Sequence, residues 1–181
     1  MLVLAHEQQF VLPEHVYALY PDGDSGQREA RRRIQALIKQ KLMLRQPSPV
    51  FKFTGVLRLT ESGKRLALQE GARQFATLRR LSIAEQQHDA LVTHVRIRLE
   101  ALWAGQFVCE RALKEEKLPL LPDGLFFFRS GKAVALEVEN SDKGRTRFLG
   151  LAARWQETEN IAAVLYVASR EALFTTLQKY L

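Results

Sequence analysis

The residues whose types and spacing could do chemistry are Asp123, Glu137, Glu139 and Lys143. They fall in Leu121–Lys143, LPDGLFFFRSGKAVALEVENSDK. Two apolar runs, Leu125–Phe128 and Ala133–Val138, flank Arg129-Ser130-Gly131-Lys132, whose Ser-Gly dipeptide marks a turn, so the stretch reads as a β-hairpin. Asp123 then starts the first strand, while Glu137 and Glu139 end the second on one face, because side chains alternate along a strand. The two ends are neighbours in an antiparallel pair. Three carboxylates should therefore meet beside apolar strands, with Lys143 just beyond. Like charges so placed repel one another unless a cation sits among them, and a hard divalent ion with oxygen ligands is the natural candidate.

The rest of the chain must position this hairpin. Its 181 residues make one domain or two small ones, and 46% apolar residues suffice for a core. The apolar runs fall short of a membrane span, and the N-terminus lacks a signal peptide's basic-then-apolar pattern. The lone Cys109 excludes an internal disulfide and a cysteine-based zinc site and suits a reducing compartment, so a cytoplasmic protein is expected. The net charge of +7 is unevenly placed: residues 1–81 hold 14 Lys and Arg against 7 Asp and Glu, residues 82–181 hold 13 against 13. A basic front meant for a polyanion and a neutral back follow from that split.

In the front part, Met1–Phe10 reads as a short helix and Leu12-Pro13-Glu14 opens a second. Pro21–Gly26 is a turn. Ser25, followed by Arg28 and Glu29, begins a third helix running to about Met43. Ala30, Ile34, Leu37, Ile38 and Lys41 share one side of it, whereas Arg28, Arg31, Arg32, Gln35 and Lys39 form the opposite stripe, with Arg33 on the flank. A Pro/Ser-rich stretch, Gln46–Pro49, precedes a strand at Val56–Thr60 and a short helix at Lys64–Gln69. Helix, helix, basic helix and two-stranded ribbon is the order of a winged helix-turn-helix, whose second motif helix enters the major groove. Double-stranded DNA is the expected partner: Arg and Lys would supply phosphate contacts, and Arg and Gln could read base edges. The bland alternative for the stripe is a solvated helix face.

Residues 77–104 read as a long helix that could start at Ser82, with Glu85 completing a capping box. Phe107–Cys109 is a short strand candidate, Gly144–Gln156 a helix, Ile161–Ala168 a continuous apolar run read as a buried strand, and Ser169 the cap of a last helix reaching Leu181. The expected class is therefore α+β: a winged helix-turn-helix over 1–75, then a domain over 76–181 with a small mixed sheet that includes the linking helix.

The order of elements from Ser82, with acids on the central hairpin, resembles the restriction-endonuclease-like, PD-(D/E)xK, nuclease fold. Pro122-Asp123 matches the leading PD, and Glu137-Val138-Glu139 matches (D/E)xK except that Glu139 stands where lysine is expected. Lys143 could take that role if the turn after Glu139 folds it back. Taken whole, the chain resembles the replication-relaxation, or MobC-type, plasmid mobilisation family. The resemblance rests on the winged-helix opening, His88-Asp89-x-Leu91-Val92 with Arg96-x-Arg98-Leu99, Glu110-Arg111-x-Leu113, Pro122-Asp123-Gly124-Leu125, and Leu136–Glu139 followed by a basic helix ending Arg154-Trp155. It implies a relaxosome protein that binds DNA at an origin of transfer, in company with other relaxosome proteins, and nicks it with Mg²⁺ or Mn²⁺. Asp123, Glu137 and Glu110 would hold the ion, Glu139 would be a further acid, and Lys143 would assist. Two alternatives stay open: a nuclease-like scaffold without catalysis, its acids paired with Arg111, Arg145 or Arg147, and a winged-helix regulator of plasmid replication or transcription that homodimerises through its back domain. His88 and His94 lack metal-ligand spacing, and Tyr17, Tyr20, Trp103, Trp155 and Phe126–Phe128 read as core.

Overall fold

Three helices open the chain: α1 (Leu2–Glu7), α2 (Pro13–Ala18) and α3 (Gly23–Lys39). Pro13 fits the first turn of α2 because an N–H there would have no partner within the helix. Between α2 and α3 the backbone passes so close that a Cβ on Gly26 would lie 2.2 Å from the Tyr20 carbonyl oxygen. Gly26, Ala30, Ile34 and Leu37 are the buried line of α3, at the three- and four-residue spacing of one helical face. The structure, a computed structural model, describes residues 1–75, 81–116, 118 and 120–180. The class is α+β, and the chain separates into two units, Met1–Ile97 and Arg98–Leu181.

In the first unit, α3 is shorter than its periodicity suggests and starts earlier. Asp22 occupies the N-cap position, and Ser25 lies inside the first turn, donating to the Asp22 carbonyl at 2.8 Å. After Lys39 the backbone breaks: Lys41 adopts a left-handed φ of 55°, and Met43 belongs to β1 (Met43–Gln46), not to the helix. β1 pairs antiparallel with β2 (Val56–Leu59), Met43 opposite Leu59. Val11 adds a bridge on the other side of β2, exchanging N–H···O bonds of 3.0 and 2.8 Å with Leu57. Thr60 caps α4 (Glu61–Gln69) by accepting from Gly63 N–H at 3.1 Å, and its hydroxyl donates to the Lys41 carbonyl at 2.6 Å. One core joins Leu4, Val16, Ala30, Ile34, Met43, Leu57 and Ala67.

α5 (Ile83–Leu102) begins with the capping box read from the sequence. Glu85 N–H donates to Ser82 Oγ at 3.3 Å, and Ser82 N–H to Glu85 Oε2 at 2.8 Å. The expected helix over 77–104 is thus trimmed at both ends, and residues 77–80, Leu78 among them, lie outside the described residues. The divide between the units falls within α5, where Ile97 joins the first unit's core and Arg96 Nη1 lies 2.6 Å from Glu7 Oε2.

The second unit is built on one sheet in the order β3 (Gly105–Cys109), β4 (Gly124–Phe128), β5 (Ala133–Glu139), β6 (Ile161–Ala168). The first two pairings are antiparallel and β5–β6 is parallel, so the sheet is mixed. A parallel pair needs a crossover, and α7 (Arg145–Gln156) supplies it. α6 (Glu110–Leu113) and a 3₁₀ turn, Lys114–Glu116, connect β3 toward β4, and α8 (Glu171–Gln178) follows β6. All seven residues of β5 are buried, which places it at the centre. Trp103, Phe126 and Phe128 pack edge to face or tilted, with ring centroids 5.2–5.4 Å apart. β6 departs from expectation: it is a strand, but an outer one, with Ala162 and Ala163 exposed and the remainder half-buried. Arg170, not Ser169, precedes α8, because the Ser169 N–H is committed to the Glu139 carbonyl at 2.9 Å. Among the described residues no helix is long and apolar enough to cross a membrane.

Candidate functional site

Asp123 sits just before β4, where its N–H donates to the Leu136 carbonyl at 3.0 Å and its Oδ2 accepts from Val138 N–H at 2.7 Å. This carboxylate thus stitches the start of β4 to the end of β5, between Glu137 and Glu139. Both glutamates are buried, at 9% and 4% exposure. The chain then turns, and Lys143 folds back so that its ammonium lies 2.7 Å from Glu139 Oε1. The turn therefore does what the sequence requires if Lys143 is to stand near the acids.

Crowding has an electrostatic consequence. The Glu137 carboxyl is pushed up to about 7, first by burial and then by the charges of Asp123 and Glu139. Lys143 and the Trp155 indole N–H oppose the shift, although the indole stops short of hydrogen-bond geometry. Tyr166 is Glu137's register partner across the parallel β5–β6 ladder, and its hydroxyl is also pushed up by burial and by the two glutamates. Glu139 Oε2, Trp155 Nε1 and Tyr166 Oη are buried and have no hydrogen-bond partner among the described residues. Native interiors leave few such atoms, so this group is disposed to receive a proton donor, water or ion.

Glu110 directly follows Cys109, the register partner of Gly124. It begins α6 and is engaged by Lys114 at 2.9 Å, and it is not among the charges that bear on Glu137. Among the described residues no three His, Cys, Asp or Glu side chains are gathered closely enough to hold a metal ion by themselves. Asp123 and Glu137 nonetheless suit Mg²⁺ or Mn²⁺ chemically, because Mg²⁺ in particular is commonly held by one or two carboxylates and keeps several waters. A cation would also relieve the repulsion that raises Glu137.

The stripe on α3 is outside, as its spacing implies. Arg28, Arg31, Arg32, Gln35 and Lys39 are all exposed, as is Arg33. They are not equally available. Arg32 is held by Glu29 through two 2.9 Å hydrogen bonds, and the Arg31 guanidinium lies 5.7 Å from the centre of the Tyr17 ring. Arg28, Gln35 and Lys39 have no ion pair or side-chain hydrogen bond among the described residues. His15 is buried beneath this region of the chain, its Nδ1 accepting from Leu12 N–H at 3.2 Å. Burial, and then His94, lower it to about 4, so it is neutral at physiological pH.

Sequence reasoning missed Tyr166, the one residue with a polar side-chain atom in IAAVLYVA, because register across a crossover is not local. It also passed over the hollow beside Glu139, about 380 Å³, lined by Ser141, Lys143, Arg147, Gly150 and Arg154 among others. The recurrence of Arg147 and Arg154 seven residues apart was the available signal. His88 Nδ1 lies 3.4 Å from its neighbour Asp89, the His94 ring lies 6.4 Å from that of His15, and Cys109 is buried. No family model, curated protein or solved structure matches this chain.

Proposed function

We propose that this protein binds double-stranded DNA through the exposed basic face of α3, in a unit of winged-helix type, and that its second unit carries a nuclease-like acid site able to nick a DNA strand. The observation that carries the proposal is that face itself: five basic residues, Arg28, Arg31, Arg32, Arg33 and Lys39, lie exposed on a helix whose opposite side is the core. The order of α1, the Val11 bridge, α2, α3 and the β1–β2 ribbon supports it, since a winged helix presents its second motif helix to the major groove. The sequence resemblance to plasmid mobilisation proteins adds the biological setting, an origin of transfer and its relaxosome.

In the second unit Asp123 and Glu137 would hold a Mg²⁺ or Mn²⁺ ion. Such an ion supplies Lewis-acid polarisation of a phosphate and a water of lowered pKa. The chain's own residues do the rest. Asp123 is fixed by Val138 N–H, and Lys143 is kept beside the site by Glu139. Glu137, raised to about 7 by burial and by its acidic neighbours, would have to give up its proton to take the ion, so the ion should bind more tightly as pH rises. A second reading, a DNA-binding regulator with a non-catalytic scaffold, draws on the same Glu139–Lys143 pair, in which the acid is already neutralised.

Supercoiled plasmid incubated with the protein and Mn²⁺ should yield relaxed circles, and Asp123→Asn/Glu137→Gln should yield none. Relaxed product that is absent for wild type while duplex binding persists selects the regulator. Binding itself should weaken steeply from 50 to 200 mM salt, as expected when several phosphates are contacted. Reversing Arg28 and Lys39 to Glu should cost about 100-fold in affinity, and Arg32→Ala, already engaged by Glu29, far less. A flat salt response removes α3 as the DNA surface.

A further inference from the structure

The β1–β2 ribbon ends in a tip whose construction is unlike that of an ordinary loop. From Gln40 to Thr60 the chain contains Lys41, Arg45, Lys52 and Arg58 and no acid. The tip is anchored on both sides. Ser48 is buried, its hydroxyl donating to Gln86 Oε1 at 3.0 Å and accepting from Val50 and Phe51 N–H at 3.2 Å each. Phe51 turns inward toward Phe10, with ring centroids 6.3 Å apart. Gly55 closes the turn: its N–H donates to the Phe51 carbonyl at 2.7 Å, its φ is 63°, and a Cβ there would lie 2.6 Å from the Gln46 carbonyl oxygen. At the apex of this fixed turn Phe53 is 102% exposed, so its ring meets no other part of the molecule.

An isolated exposed aromatic is ordinary on a surface. Here the ring is held out by an anchored turn on a ribbon whose charged residues are all basic, with Lys52 exposed beside it. We propose that Phe53 enters the DNA minor groove and wedges against a base step while Lys52 and Arg45, both exposed, hold the flanking phosphates. This rests on the DNA-binding reading above and names what the ribbon does within it. The ribbon follows α3 after a three-residue link, Gln40–Leu42, so a helix seated in the major groove delivers the tip to adjoining backbone. Apolar wedges of this kind unstack a step and kink the duplex, most readily at pyrimidine–purine steps. An anionic membrane would meet the same charges, but attachment to bilayers scales with buried apolar area, and one ring is a poor anchor.

The test uses the full chain and a duplex carrying 2-aminopurine beside a central TA step. Phe53 contacts nothing, so Phe53→Ala leaves the fold intact. It should weaken binding about tenfold, the scale of one lost base–aromatic stack, with an unchanged salt slope and no 2-aminopurine response. Lys52→Ala should instead lower the salt slope by about one. Phe53→Trp should retain affinity and show its fluorescence quenched on the duplex. If wild type and Phe53→Ala bind equally, the wedge is overturned and the DNA reading stands. Failure of wild type to bind any duplex at low salt overturns both. Phe53-dependent binding to vesicles of anionic lipid, with DNA affinity unaffected by the substitution, overturns the wedge in favour of a membrane contact.

Discussion

The two units treat charge in opposite ways. In Met1–Ile97 the excess of positive charge stands on the surface, on α3 and on the ribbon, and the buried titratable group His15 is stripped of its proton. In Arg98–Leu181 the charges that matter are inside, and buried Glu137 tends to keep its proton. Desolvation is the leading cause in both, and it favours the neutral form whichever form that is. The lesson is that one physical cause gives the halves opposite pH responses: the first unit loses stability as its buried imidazole is forced to take a proton, the second as its buried carboxyl is forced to give one up.

The largest expected effect tests whether buried charge is confined to the second unit. Glu7 and Arg96 are the exception, an ion pair at 2.6 Å with side chains 16% and 7% exposed. Arg96→Ala leaves a buried carboxylate behind and should cost the first unit about 3–5 kcal/mol in urea unfolding. A loss below about 1 kcal/mol would mean the pair is wetter than its burial implies.

The second prediction concerns Glu137. Its folded value, about 7, lies above the ordinary 4.5, so its contribution is fully present below 4.5 and is lost as pH rises toward 7. Glu137→Gln should therefore stabilise the second unit at pH 8 by up to about 3 kcal/mol and change little at pH 4. Both tryptophans, Trp103 and Trp155, belong to that unit, so tryptophan fluorescence isolates its melt. Mn²⁺ should raise the same transition at pH 8 in wild type and leave Asp123→Asn/Glu137→Gln unmoved. An equal shift in both proteins would place the ion elsewhere.

His15 gives a signal of similar size and opposite sign. Its folded value is lowered from 6.5 to about 4, so its contribution is present above 6.5 and lost as pH falls toward 4. The first unit should lose up to about 3 kcal/mol across that window, less where partial burial lets water in. Circular dichroism at 222 nm, with the tryptophan signal of the other unit as reference, follows it, and His15→Gln should flatten the profile.

Much of the scaffold was legible because it is local. The β4–β5 hairpin showed in its two apolar runs and Ser-Gly turn, α2 in Pro13, and the α5 start in Ser82 and Glu85. The errors lie where distant partners decide. The end of α3 depends on Lys41 turning left-handed, which no periodicity reveals. β1 hid because Met-Leu-Arg-Gln has no β-branched residue and is a strand only by pairing with β2. A continuous apolar run could not say that β6 is outermost. At the site, the meeting of Asp123, Glu137 and Glu139 followed from strand geometry, whereas the place of Lys143 depended on the turn after Glu139, and Glu110, which Lys114 engages, came only from the family resemblance.

The parallel joining of β5 to β6 has a consequence for how the protein is made. The hairpin β4–β5 closes over four residues, but twenty-one residues separate the end of β5 at Glu139 from the start of β6 at Ile161. Loop closure grows costlier with length, so the outermost strand is expected to dock late. Until it does, the β6 side of Glu137 is open to water, and the burial that leads its upward shift is incomplete. A stopped-flow jump monitored by proton uptake near pH 6 should then show the last proton arriving with the slow phase of folding.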